Sequence, residues 1–192
     1  MQKRVVLKNY ITIIALAVAI GVGLNVLLLK IDLAQYSKAY QEAVKGFYEP
    51  SLWTQLLTTG MLVPVLEEIV FRGVAFRFMR KWLPFIWAMI LSALLFGLSH
   101  GNLVQFVYAT FCGMYLAYLY EKFGSIWSSV VAHMTMNITA CVMTHFGWFT
   151  WIFESEIRIT IAIVLCLCVA SVLLCNIHKL DVTKMLKKDC KK

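Results

Sequence analysis

Apolar residues in this chain come in long unbroken runs rather than in the spaced stripes of a water-soluble helix or the alternation of a half-buried strand. The runs cover about 10–29, 52–78, 83–99, 103–120, 126–152 and 158–177, and charged residues are concentrated between them. A bilayer core about 30 Å thick is crossed by roughly 20 apolar residues in a helix. The pattern therefore predicts an all-α, polytopic transmembrane helical bundle of about six spans. It is read as one membrane domain over 1–192, with a core at about 51–150 and a basic cytoplasmic tail at 179–192. The first run has a signal-peptide look, with Ala17-Val18-Ala19 as a cleavage site, but the apolar stretch continues well past it and is read as a retained anchor helix. Residues 31–50 mix charges with apolar positions, predicting a loop or interfacial helix closed by Pro50.

Composition strengthens the membrane reading. Hydrophobic residues make up 61% of the 192 residues and the mean hydropathy is +0.77. A soluble domain is about 45–50% apolar, so lipid must solvate much of this surface. The net charge of +8 does not point to nucleic acid, because the basic residues flank apolar runs and form no basic face with interleaved aromatics. They set orientation instead. With a cytoplasmic N-terminus, Lys3, Arg4, Lys8, Arg77, Arg80, Lys81, Lys122 and six lysines from Lys179 onward fall inside, against Lys30, Lys38, Lys45 and Arg158 outside. Both termini are therefore placed in the cytoplasm. Trp53, Trp82, Trp127 and Trp151 fall near span ends, where headgroups favour them. The six cysteines form no CxxC pair and five lie inside apolar runs, so neither a disulfide framework nor a zinc knuckle is indicated.

Three polar clusters interrupt the spans. The first is Glu67-Glu68-Ile69-Val70-Phe71-Arg72. A charge at mid-membrane costs about 2.5–3.5 kcal/mol on insertion scales, so three together need a reason. Glu68 and Arg72, four apart, can pair along one helix. Glu67 points about 100° away and finds no basic partner there, and an unpaired acid in such a place can exchange a proton near neutrality. The second cluster is Phe96-Gly97-Leu98-Ser99-His100, and the third is His133-Met134-Thr135-Met136-Asn137. His133 and Asn137 share a helix face, continued by Ser125 and Ser129 into a polar seam that must face protein or water. The serines are accounted for by interhelical hydrogen bonding, the histidine less well. His145 and His178 lie at span ends and read as interfacial, and Asn25 reads as packing glue. Ala109, Gly113 and Ala117 form a small-residue stripe that predicts close helix contact.

In order, the clusters read EExxxR, FxxxH and HxxxN on three separate spans, with Gly73 directly after Arg72. Together, over about 64–137, they resemble the CPBP intramembrane protease family, the CAAX-protease and bacteriocin-processing (Abi) proteins. The resemblance implies an intramembrane endopeptidase acting on a membrane-associated peptide or protein. In it Glu67 would activate water, His100, His133 and Asn137 would complete the site, and Glu68 with Arg72 would support it. The chain is short for the family, with one span before the first motif helix and one after the third.

No cofactor is committed by this reading. A zinc mechanism competes with a glutamate-activated water, since Glu67, His100 and His133 are also a set that holds zinc with one position open, although no HExxH is present. Two other functions compete with the peptidase. One is a proton-coupled carrier, against which no second copy of the EExxxR segment is found. The other is a non-catalytic bacteriocin immunity or interaction protein, against which every motif residue is present. One tension remains in the depths. At 1.5 Å per residue, Glu67 lies about 15 Å above Arg77 and His133 about 14 Å above Gly124, but His100 lies roughly 25 Å above Pro84. The third span must tilt or start outside the membrane, or the site must sit deeper.

Overall fold

The computed structural model describes residues 7–31, 41–42, 45–46 and 49–180, and every regular element among them is helical. Most of the 31–50 connection and the tail beyond Leu180, with Cys190, lie outside the described residues. The helices are α1 (Leu7–Ile31), α2 (52–79), α3 (Phe85–Leu98), α4 (Leu103–Phe123), α5 (Ile126–His145), α6 (Trp148–Phe153) and α7 (Glu156–Lys179). Four of them, α1, α4, α5 and α7, are long and apolar enough to cross a membrane. The chain is an all-α bundle and an integral membrane protein.

Two of the six expected spans depart from plain α-helices. The second run forms α2, which contains two π stretches, Thr58–Leu62 and Ile69–Phe76. The first of these has a readable cause. Val63 N–H bonds to Thr58 O, five residues back, and in that register Pro64 would follow with Thr59 O. Proline has no N–H to give, so the Thr59 carbonyl is left for another donor. The third run forms only α3, 14 residues or about 21 Å of helix.

The fifth run, expected to continue to 152, stops at His145, because Gly147 takes a left-handed conformation (φ +69°) that a residue with a Cβ resists. The amphipathic remainder becomes α6, whose Phe149 and Ile152 are buried while Trp148 and Trp151 stay exposed.

Short turns make successive helices antiparallel, and cross-links fix which ends meet. At the basic end Arg80 donates two hydrogen bonds to Glu121 Oε1 (3.2 and 2.8 Å), and Lys122 donates to His178 O. At the far end Lys30 pairs with Glu156. Exposed tryptophans mark both levels, Trp82 and Trp127 at the basic end and Trp53, Trp148 and Trp151 at the far end. His145 and His178 are exposed at helix ends, in line with their interfacial reading.

The central core joins α1, α4, α5 and α7 through Ile13, Leu16, Leu116, Leu119, Met136 and Ile177. Leu62, Leu66, Ile69, Val70 and most of α7 turn large apolar side chains outward, a surface that only lipid solvates cheaply. The small-residue stripe does bring helices close. A Cβ added to Gly113 would lie 3.0 Å from Ala93 Cα on α3.

Candidate active site

The three motif helices meet around one buried ring, that of Phe96. Arg72 reaches across from α2 and stacks its guanidinium 4.7 Å from the ring centroid. The imidazoles of His100 and His133 both meet the ring edge-to-face, at centroid separations of 4.9 and 5.6 Å. Phe71 closes a fourth side at 5.0 Å. The first residue of FxxxH is thus the spacer against which the other motif residues are set. Such packing contributes about 0.5–1.5 kcal/mol per aromatic pair beyond area burial.

Arg72 and Glu68 are both fully buried and paired (Nη1 to Oε1, 3.0 Å), as the spacing of four predicts. Arg72 also donates from Nη2 to Gly113 O at 2.9 Å, a carbonyl that the small stripe on α4 lets it reach. Glu68 has a second partner that spacing along one helix does not reveal. His133 Nδ1 lies 3.0 Å from the same Oε1. A carboxylate already held by a guanidinium only accepts, so the proton of this bond sits on His133 Nδ1. The other ring nitrogen, Nε2, then faces Glu67, 3.6 Å from its Oε2. Glu67 keeps 23% of its side chain exposed while Glu68 is sealed. The two adjacent acids are thus divided, one structural and one open.

His100 lies just past the end of α3, and its side chain folds back so that Nδ1 donates to Phe96 O at 2.8 Å. That bond commits Nδ1 and leaves Nε2 as the basic nitrogen. It also resolves the depth tension, because His100 belongs to the far-end turn and the site lies well away from the basic end. Asn137 donates from Nδ2 to Thr59 O at 2.8 Å, the carbonyl that Pro64 leaves unpartnered. One amide hydrogen of Asn137 is spent there and the other stays available. Ser128, which the seam of Ser125 and Ser129 passes over, bridges to α4 through Leu119 O, whereas Ser129 bonds within its own helix.

These groups line one wall of a cavity of about 410 Å³ that holds Glu67, His100, His133 and Asn137. Asn25 and Tyr108 line it too, joined by a 3.2 Å hydrogen bond, so Asn25 does tie α1 to α4 but does so inside the cavity. Glu68 and Arg72 lie behind the wall. Among the described residues no three His, Cys, Asp or Glu side chains are grouped as metal ligands; His100 and His133 are each held through Nδ1, which leaves Nε2 of both uncommitted.

Residues 49–139 match the protein family described as type II CAAX prenyl endopeptidase Rce1-like. Over 88 residues the chain is 31% identical to a Bacillus subtilis (strain 168) protein named "Putative membrane peptidase YdiL". The match covers 46% of this chain and 36% of that protein, so the chain aligns with little more than a third of this curated relative's length. No solved structure matches the chain. The matched stretch carries all three motifs and all the side chains gathered around Phe96, and over it the chain is similar to the CAAX-protease and bacteriocin-processing (CPBP) membrane proteins.

Proposed function

We propose that the protein is an intramembrane endopeptidase that hydrolyses a membrane-associated peptide or protein with water activated by Glu67. The observation that carries this reading is the placement of His133 between two unlike acids, bonded to buried Glu68 at 3.0 Å and facing cavity-lining Glu67 at 3.6 Å. Peptide hydrolysis needs a base for water, donors for the oxyanion and a proton for the leaving amine.

Glu67 is the base. Glu68, held by Arg72, orients the imidazole of His133 so that Nε2 exchanges protons with Glu67. His100, anchored through Nδ1, presents its basic Nε2, and Asn137 keeps one N–H for the oxyanion. His133 and His100 share delivery of the proton to the leaving group. In this reading no step passes through a metal.

The test is cleavage of a membrane-tethered peptide library by purified protein in detergent, comparing the natural chain with Glu67→Gln. Loss of a general base is expected to lower the rate by about 10²–10⁴-fold, while a strong chelator leaves the natural rate unchanged. Undiminished cleavage by Glu67→Gln removes Glu67 from the mechanism, and loss of activity on chelation that added zinc restores removes the metal-free step. Solute flux in place of cleavage turns the reading to the carrier.

A further inference from the structure

The cavity is not centred in the bundle. The lining residues that reach the surface are at the far end: half-buried Leu29 of α1, Thr59 of α2 and Gln105 of α4, together with exposed Ser99 in the α3–α4 turn. Toward the basic end the cavity is closed. Arg72, Phe76, Phe96 and Leu119 are all at most 1% exposed beneath it, and the Glu68–Arg72 pair fills the space that a channel would need. Glu67 stands about 13 Å above Phe76 along the helix axis, with this packed layer between them.

The basic end is also the end that carries the charge. Among the described residues Lys8, Arg77, Arg80, Lys81, Lys122 and Lys179 lie there, against Lys30 and Arg158 at the far end. Positive flanks stay in the cytoplasm. Val63 lines the cavity and is also 39% exposed on the lipid-facing surface of α2, beside Leu62 and Leu66. The opening is therefore continuous with the apolar surface of the outer half of the bundle.

The geometry points to a chamber that opens on the non-cytoplasmic face, whose substrate is a membrane-anchored polypeptide reached from outside, with its scissile bond in the outer half of the bilayer. What happens in the chamber rests on the peptidase reading, but the side on which it opens does not. A lipidated C-terminus exposed only in the cytoplasm meets the packed layer and is excluded.

The experiment is cysteine mapping on the full chain, with its six cysteines replaced by alanine and single cysteines returned by Ser99→Cys or Gln105→Cys at the rim and Lys81→Cys at the basic end. A membrane-impermeant maleimide is applied to spheroplasts of an expression host before and after permeabilisation. Ser99→Cys and Gln105→Cys are expected to label as fully before permeabilisation as after it, and Lys81→Cys only after it.

Rim cysteines that react only after permeabilisation, or never, overturn the proposal, as does a Lys81→Cys that reacts in intact spheroplasts. Labelling requires no catalysis, so a Glu67→Gln protein that still cleaves sinks the mechanism and leaves the sidedness standing, and a reversed labelling pattern does the opposite.

Discussion

Gly97 sits where α3 and α4 press together, one residue after Phe96 and three before His100. A Cβ placed there would lie 2.3 Å from Thr110 Oγ1 and 2.7 Å from Phe106 O. The threonine can rotate, but a backbone carbonyl cannot, and an ordinary contact needs at least about 3.4 Å. Gly97→Ala must therefore push α3 off α4 by somewhat under 1 Å. Overpacking of this kind costs about 1–3 kcal/mol, which for a chain of this size lowers the midpoint of thermal unfolding by on the order of 5 °C. The same shift carries Phe96 and His100 with it, and a misplacement near 1 Å costs about 10²-fold in rate.

Gly73→Ala is the control. Its Cβ would meet Ile126 Cδ1 at 3.5 Å, an ordinary contact, so stability and rate should stay within about 1 kcal/mol of the natural protein. Thermal unfolding in detergent and the peptide-cleavage rate read both variants. A Gly97→Ala protein that matches the natural chain, or a Gly73→Ala protein damaged as badly, would refute the argument that Gly97 sets the α3–α4 distance.

Two further predictions concern the buried polar groups. Glu68→Gln strands the Arg72 guanidinium and should cost about 3–5 kcal/mol, with Glu68→Gln/Arg72→Met regaining part of it. Thermal unfolding decides this, and a fully stable single variant would show that the pair does not hold the helix. Asn137→Ala should cost about 1–3 kcal/mol by leaving Thr59 O unpaired. Adding Pro64→Ala should restore much of that, since residue 64 then has an N–H to offer. A double variant no more stable than Asn137→Ala would sink the link between Pro64 and Asn137.

Much of this fold is legible in the sequence because lipid makes a simple demand. A crossing helix must be about 20 apolar residues long, and α1, α4, α5 and α7 stand out on that ground alone. Legibility fails where length and hydropathy stop deciding. The short α3 depends on turn chemistry, the first π stretch of α2 on Pro64, and the break after His145 on the φ of one glycine.

At the site, spacing gives the face of each side chain within its own helix, and so it gives Glu68–Arg72 and the seam of His133 with Asn137. It does not give the rotation of one helix against another. That is why the bond from His133 to Glu68, the use of Gly113 O by Arg72 and the position of Phe96 among both imidazoles appear only in three dimensions. Phe96 leaves one trace in sequence, as the aromatic residue four positions before His100.

The partners of Arg72 and Glu68 have a bearing on how the protein is made. Helix α2 carries Glu67, Glu68 and Arg72 within its apolar stretch, and its own chain offers only one pairing among these three. The groups that complete the cluster come from Gly113, 41 residues beyond Arg72, and His133, 65 residues beyond Glu68. During synthesis α2 emerges long before either exists, and it is poorly suited to lipid until they arrive. The order of the chain thus requires α2 to linger at the insertion machinery, or at the membrane surface, and to enter for good only once α4 and α5 can receive it.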